Sequence, residues 1–158
     1  MQALHNDTGK LPWKDVFQPA IRLAKEGFTI GPNLAAALAN NENVLNLSPA
    51  LRKRFSNSAT GALLQSGDKL VQTQLADLLT KLAEEGAGYL YEKELAEEIE
   101  TNISSAGGSL KKSDLSDYKP LWLDPVSAKI GEGQHIHSAP IPGAGVVLAV
   151  AVHQIKVK

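Results

Sequence analysis

The sequence predicts an α/β chain that is mainly helical up to about residue 118 and carries a short β portion after it. Two observations lead to this prediction. Apolar residues recur every three or four positions through the first two thirds of the chain, which is the period of a helix with one buried face. After Tyr118 that period is lost, and a β-like segment, a glycine turn and an alternating segment follow. We therefore expect β structure only after Tyr118.

Three segments carry the strongest helical patterns. They predict helices over Gln18–Glu26, Thr73–Glu85 and Lys93–Ala106. Because a helix tolerates proline only near its start, Pro12 and Pro19 predict a short first turn followed by a longer helix that begins at Gln18. Gly27 is expected to end that helix in a left-handed conformation, which glycine adopts without steric cost.

Hydroxyl side chains mark the expected starts of several helices, because a serine or threonine oxygen can accept a hydrogen bond from a free backbone N–H of the first turn. Ser48, Thr73 and Ser113 are the predicted N-caps. Two shorter helices are predicted at Asn33–Asn40 and Pro49–Phe55. The second of these has proline at its first helical position, where the missing N–H costs nothing.

The apolar stripes also predict which side chains form the core. Leu78 and Ile99 lie on the stripes of the second and third long helices, so replacing either by aspartate is expected to unfold the chain. Glu97 falls on the opposite side of its helix and is expected to be solvated.

The predicted β portion begins at residue 121. Leu121–Ile130 is β-like, Gly131–Gly133 is a turn, and Gln134–Ser138 alternates as a returning strand does. Pro140–Gly145 then forms an elbow, rigid at its prolines and flexible at its glycines. The pattern of Val146–Val152 fits a buried helix and a buried strand equally well, because a short apolar run does not decide between them.

Composition excludes several classes of function. The formal net charge is −1, and nucleic acids and anionic membranes both require a basic excess, so no nucleic-acid partner is expected. The one basic cluster, Arg52-Lys53-Arg54, is interpreted as a solvated helix face. The chain contains no cysteine, which excludes disulfides and thiol catalysis. The longest apolar run, residues 143–152, is too short to span a bilayer, and the first residues lack the pattern of a signal peptide.

Two motifs resemble metal or phosphate sites without completing one. His135 and His137 would point to the same face of a strand, but no third ligand has suitable spacing, so a polar surface strand is the preferred interpretation. Gly143-Ala-Gly145 lacks both the Walker lysine and the remaining glycines of a phosphate loop. No metal or cofactor is predicted.

A run of carboxylates in the helical part offers a third candidate site. General acid–base chemistry needs two carboxylates held in a cleft with separated pKa values. Most of these residues instead fall opposite the leucine stripe and are predicted to form a solvated face. The residues are Glu84, Glu85, Glu92, Glu94, Glu97, Glu98 and Glu100.

Several segments together resemble one protein family. Leu11–Phe28 is similar to a segment of the large subunit of γ-glutamyltransferases, which are also called glutathione hydrolases. Further segments follow in the order found in that family and extend the resemblance to about Val150. These are Gly67-Asp68, Gln72–Ala76, Leu82–Gly86, Tyr89 with Tyr91, Ile99–Gly108, Asp114–Tyr118 and Ser138–Gly145. The chain thus resembles an internal piece of a large subunit.

The resemblance divides the chain, taken as a single incomplete domain 1–158, into four parts. Residues 1–10 match poorly, 11–118 form the helical part, 119–153 form the β portion and elbow, and 154–158 do not match. Both ends therefore resemble truncations.

The resemblance implies a fold and a reaction. The fold is the αββα sandwich of N-terminal-nucleophile hydrolases, in which two sheets lie between layers of helices. The precursor cleaves itself, and the new N-terminal threonine of the small subunit attacks the γ-glutamyl amide of glutathione or its conjugates. Its own α-amine serves as the base. Glutathione and the small subunit are the implied partners, and the plasma membrane or the extracellular space is the implied location.

No catalytic, substrate-binding or metal residue of the family can be assigned to this chain. The arginine that holds the substrate carboxylate lies upstream of the matched part, and the threonine nucleophile lies downstream of it. Pro140–Gly145 resembles a segment that approaches the active site and is the one candidate here. The chain alone is expected to be inactive. Two alternatives stay open, namely a non-catalytic helical binding or regulatory module and an amide acylase of the same fold, such as a cephalosporin-type acylase.

Overall fold

The computed structural model describes residues 1–156, and the chain divides into two compact units, Met1–Tyr118 and Lys119–Lys158. The first unit is helical with one very short strand pair. Its elements are α1 (Gln2–Thr8), α2 (Trp13–Glu26), β1 (Phe28–Thr29), α3 (Pro32–Asn40), α4 (Glu42–Asn46), α5 (Pro49–Arg54), β2 (Lys69–Leu70), α6 (Thr73–Glu85), α7 (Gly88–Tyr91), α8 (Glu94–Ser105) and α9 (Lys112–Ser116). The second unit contains β3 (Val126–Gly131), β4 (Gln134–Ser138) and α10 (Gly145–Lys156).

The three long helices are present where the apolar stripes predict them, as α2, α6 and α8. The start predicted for the first is wrong, because α2 begins at Trp13 and contains Pro19 within it. A tertiary hydrogen bond explains the earlier start: the Trp13 indole Nε1 donates to the Leu82 carbonyl of α6 at 2.9 Å, which anchors the first turn. Pro19 is exposed, so water can reach the carbonyl that its missing N–H leaves unpaired.

Of the three predicted N-caps, only Ser48 is confirmed, since its Oγ accepts from the Leu51 N–H at 3.4 Å. Thr73 is instead the first residue of α6, and no side chain caps that helix. Ser113 lies inside α9, where the Asp114 carboxylate accepts from the Lys111 N–H at 2.9 Å. A carboxylate satisfies that N–H more strongly than a hydroxyl does.

The prediction that β structure appears only after Tyr118 is wrong. β1 and β2 pair antiparallel, with Phe28 opposite Leu70, and the Ile30 N–H extends the ladder to the Asp68 carbonyl at 2.8 Å. Gly27 makes this pairing possible. Its φ is positive, as predicted, but its ψ of 167° turns the chain out of α2 and directly into β1. A Cβ at this position would lie 2.7 Å from the Leu70 carbonyl oxygen, so no other residue fits without a shift of the backbone.

The core of the first unit is centred on Ile30, which is 1% exposed. It forms one apolar cluster with side chains contributed by α3, α4, β2 and the loop before β2. The other buried members are Leu38, Leu45, Leu64 and Leu70. Between α2 and α6 the buried residues are the alanines Ala24, Ala76 and Ala83, whose small size lets the two helices lie close together.

The second unit is a hairpin followed by a helix. β3 and β4 pair antiparallel from Val126 opposite Ser138 to Gly131 opposite Gln134, with an irregularity near the turn. The returning strand matches its prediction, whereas β3 begins five residues later than Leu121 and leaves residues 121–125 without regular structure. Val146–Val152, the apolar segment whose pattern fitted a helix and a strand equally well, lies within α10 and is helical.

Candidate functional site

The elbow Pro140–Gly145, the site candidate drawn from the family resemblance, is a tight turn between β4 and α10. The Gly143 N–H donates to the Pro140 carbonyl at 2.7 Å, and the Ile141–Pro142 peptide bond is cis. Gly145 begins α10 and is buried; a Cβ there would collide with the Ala139 carbonyl oxygen. Glycine is therefore required at Gly145 for the helix to start against the end of β4. The elbow carries no titratable or nucleophilic side chain, so by itself it performs no chemistry.

Large apolar side chains of the second unit are exposed in the elbow, along α10 and in the segment 121–123 before β3. Ile141 is 78% exposed, and Val147 on α10 is 70% exposed. The further members of this set, which we call the apolar face, are Leu121, Trp122, Leu123, Val150 and Ile155. Where exposed large apolar side chains form a contiguous patch, another polypeptide segment commonly covers it.

The histidine pair has the geometry that its spacing predicts. The rings of His135 and His137 stack on one side of β4, with centroids 6.4 Å apart and planes inclined by 19°. Both are exposed, and His137 Nδ1 lies 2.8 Å from the Ser127 hydroxyl on β3. Within residues 1–156 no group of three histidine, aspartate or glutamate side chains is placed to hold a metal ion. A stable metal site needs at least three such ligands.

Most of the carboxylates lie on exposed helix faces, as predicted, and three of them form ion pairs with lysines of neighbouring elements. Glu85 meets Lys93 at 2.6 Å, which accounts for an acidic residue in the last turn of α6. Glu97 on α8 meets Lys112 at 2.7 Å. Glu100 accepts from the Lys112 backbone N–H at 2.8 Å and from the Lys111 ammonium at 3.3 Å. These pairs join helices at the surface and do not line a catalytic cleft.

Hydrogen bonding at this surface changes two pKa values. The Lys112 N–H, followed by the Lys111 ammonium, lowers the pKa of the Glu100 carboxyl, because both interactions favour its charged form. The Glu85 carboxylate raises the pKa of Lys93 in the same way. Both groups are solvated, so these shifts belong to surface ion pairs and not to an acid–base site.

The lowered pKa of Glu100 predicts an acid-sensitive contact between α8 and α9. A carboxyl whose folded pKa is depressed stabilises the fold fully above its ordinary value of 4.5, and this contribution is lost as pH falls through the folded value. Glu100→Gln should therefore lower the free energy of unfolding slightly at pH 7 and by less at pH 3, measured by urea unfolding. Glu97→Ala, on the same helix but 65% exposed at its side chain, should be nearly silent at both pH values. An equal loss at pH 7 and pH 3 for Glu100→Gln would contradict the assignment.

The basic cluster 52–54 lies in the last turn of α5, where Lys53 and Arg54 are exposed and Arg52 is half-buried. Arg52 pairs with Glu42 on α4 at 3.3 Å. Lys53 and Arg54 instead line a cleft of about 720 Å³ between α5 and the start of α6, which we call the α5–α6 cleft. No local pattern in the sequence indicates this cleft, because its lining residues come from segments up to 25 positions apart, from Ala50 to Leu75.

Solved structures define the class of protein to which this fold belongs. The chain superposes on γ-glutamyltranspeptidase of Helicobacter pylori with a TM-score of 0.91 and 27% identity, over 99% of this chain and 44% of that one. It superposes on cephalosporin acylase of Bacillus halodurans with a TM-score of 0.87 and 28% identity, over 98% of this chain and 29% of that one. The fold is that of a part of an N-terminal-nucleophile hydrolase, which confirms the predicted fold class.

Sequence comparison then defines the family. The family model for gamma-glutamyltranspeptidase matches residues 1–157. Scoloptoxin SSD14 of Scolopendra dehaani is 36% identical over 94% of this chain, and glutathione hydrolase 3 of Arabidopsis thaliana is 33% identical over 88% of it. The chain belongs to the γ-glutamyltranspeptidase family. It spans about a quarter of the length of these curated relatives, 26% and 21% respectively.

Proposed function

We propose that this chain is part of a γ-glutamyltransferase, or glutathione hydrolase, that cleaves the γ-glutamyl amides of glutathione and its conjugates through a γ-glutamyl-enzyme intermediate. The observation that carries the proposal is the match to the family along almost the whole chain, which includes both the helical unit and the hairpin–elbow–helix unit. Amide cleavage by such a mechanism needs an activated nucleophile, a base within reach of it and donors that stabilise the oxyanion.

The 158 residues alone are proposed to be inactive, because none of them matches the nucleophile of the family, and three of their threonine hydroxyls are engaged within helices. The hydroxyls of Thr8, Thr80 and Thr101 each donate to the carbonyl four residues earlier in their own helix, at 3.0, 2.8 and 2.8 Å. A hydroxyl held in this way has no base beside it. We therefore assign the nucleophile to the small subunit, whose N-terminal threonine carries its own amine as base.

The small subunit of the same precursor is also the proposed partner of the second unit. Its sheet and helices would cover the apolar face, including Ile141 in the elbow and Val147 on α10, and would place the elbow beside the active site. Burial of such a surface is favoured by roughly 25 cal/mol for each Å² of apolar area. The plasma membrane or the extracellular space is the proposed location, by family resemblance. Among residues 1–156, no helix combines the length and apolarity that crossing a bilayer requires.

A chimeric precursor tests this function. Residues 11–150 of this chain would replace the matching segment of a related γ-glutamyltranspeptidase precursor, and release of chromophore from a γ-glutamyl anilide would be measured. We expect the chimera to cleave itself and to turn over the anilide, at least about 10⁶-fold faster than the uncatalysed reaction. The isolated chain 1–158 should show the uncatalysed rate only.

Two controls make the result interpretable. Replacing the nucleophilic threonine of the chimera by alanine should abolish turnover, and Ile30→Asp within the transplanted segment should abolish it by unfolding. Robust turnover by chain 1–158 alone would overturn the proposal that the small subunit supplies the nucleophile. A folded, self-cleaved chimera that turned over no γ-glutamyl amide would overturn the proposed function.

An amide acylase of the same fold is the second candidate, favoured by the similarity to a cephalosporin acylase reported above. The two candidates differ in the acyl group that is transferred, which is a γ-glutamyl group with an α-amine and an α-carboxylate in the first and the acyl group of a cephalosporin amide in the second. Assaying the intact protein against both kinds of amide distinguishes them. A non-catalytic module would cleave neither.

A further inference from the structure

The α5–α6 cleft lies in the first unit, away in the chain from the elbow and its apolar face. It is bounded by the last turn of α5, the loop that follows, β2 and the first turn of α6. Its volume of about 720 Å³ falls within the range of small-molecule sites. Its wall combines polar and apolar side chains in similar proportion, and the polar ones include Ser56, Asn57, Ser58, Gln72, Thr73 and Gln74.

Positive charge is concentrated in this cleft without compensation. Lys53, Arg54 and Lys69 all line it, and no aspartate or glutamate does. None of the three forms an ion pair; the salt bridges within residues 1–156 involve Arg52, Lys93, Lys111 and Lys112. Three unpaired cations around one concave surface favour an anionic ligand, because a cleft focuses the field of the charges that line it.

The start of α6 adds a second, independent feature. No side chain caps this 13-residue helix, and its first turn contains no acidic residue. The backbone N–H groups of Thr73, Gln74 and Leu75 are thus left without an acceptor, since the first helical hydrogen bond is donated by Ala76 to Gln72. All three residues line the cleft. The free N–H groups and the positive end of the helix dipole both attract an anion.

We propose that the α5–α6 cleft binds a phosphorylated small molecule. Its phosphoryl oxygens would accept from the free N–H groups at the start of α6 and from Arg54, with Lys53 and Lys69 supplying further positive charge. A terminal phosphoryl group presents three oxygens and a carboxylate two, so phosphate matches this donor set better. This proposal is independent of the γ-glutamyl chemistry proposed above and uses none of its groups.

Calorimetric titration of chain 1–158 with inorganic pyrophosphate tests the proposal, with citrate as a carboxylate probe of similar charge. We expect saturable binding of pyrophosphate that weakens as salt is added, and citrate binding at least about tenfold weaker. Absence of saturable pyrophosphate binding at low salt would overturn the site. Equal or tighter binding of citrate would overturn the assignment to phosphate.

Two sets of variants locate the binding. Lys53→Gln with Arg54→Gln should weaken pyrophosphate binding at least about tenfold. The matched control, Lys14→Gln with Arg22→Gln, removes the same charge from the exposed side of α2 and should change binding less than about twofold. Equal weakening by both pairs would show a non-specific effect of net charge and overturn the site.

Thr73→Asp separates binding from folding. A carboxylate in the uncapped first turn of α6 favours the helix, so the variant should be at least as resistant to urea as the wild type. The same carboxylate occupies the place of the ligand's charge and should abolish pyrophosphate binding. A stable Thr73→Asp variant that binds pyrophosphate as the wild type does would contradict the role of the helix start.

Discussion

Ile30→Asp is expected to unfold the unit Met1–Tyr118. The Ile30 side chain is 1% exposed and lies at the centre of the apolar cluster, so an aspartate there would have no water and no partner. Burying such a group costs on the order of several kcal/mol, which is a large part of the 5–15 kcal/mol of a typical domain. Circular dichroism at 25 °C should show loss of most of the helical signal.

A matched pair of variants checks that burial is the cause. Ile30→Ala should keep the fold but lower the free energy of unfolding by about 2–5 kcal/mol, the usual cost of a cavity in a core. Thr29→Ala, one residue away on β1 and exposed, should change it by less than about 1 kcal/mol. A folded Ile30→Asp variant of near wild-type stability would show that the cluster around Ile30 is not the core.

Trp13→Ala is expected to have the next largest effect, because this side chain joins three helices. Its ring contacts His5 of α1 at 5.2 Å and Phe17 of α2 at 4.9 Å between centroids, and its Nε1 donates to Leu82 of α6. Truncation removes these contacts and leaves a void between α2 and α6. We expect a loss of about 3 kcal/mol in the free energy of unfolding, measured in urea.

Two tryptophan controls separate the parts of this effect. Trp13→Phe keeps an aromatic ring but loses the hydrogen bond to Leu82, so it should cost about 1–2 kcal/mol. Trp122→Ala removes the other tryptophan of the chain, which is 66% exposed, and should be nearly silent. Similar losses for Trp13→Ala and Trp122→Ala would show that the position of Trp13 between the helices does not matter.

The elements that the sequence predicts correctly are those that depend on neighbours in the chain. The helices α2, α6 and α8 follow from apolar residues three and four positions apart, because a neighbour at that spacing shares a helix face whatever the rest of the chain does. The returning strand β4 and the stacking of the His135 and His137 rings on one side of it follow from the two-residue period of a strand in the same way. The family was recognisable because its segments occur in a fixed order along the chain.

The predicted core shows where that reasoning ends. Leu78 and Ile99 lie on the correct helix faces, but both are only half-buried. The most buried large side chain is Ile30, which belongs to no helical stripe. Its burial depends on the pairing of β1 with β2, two strands of two residues each that are separated by about 40 positions in the chain.

By itself, the sequence determined the type and order of the long helices, the hairpin's returning strand and the family, all of which depend on neighbours in the chain. Only the tertiary structure decided that α2 starts at Trp13, that Ile30 centres the core, and that Lys53, Arg54 and Lys69 line the same cleft as the start of α6. Each of these depends on groups that are distant in sequence and become neighbours only on folding. Such contacts do not produce a periodic pattern in the sequence, because they join particular residues and do not repeat along the chain.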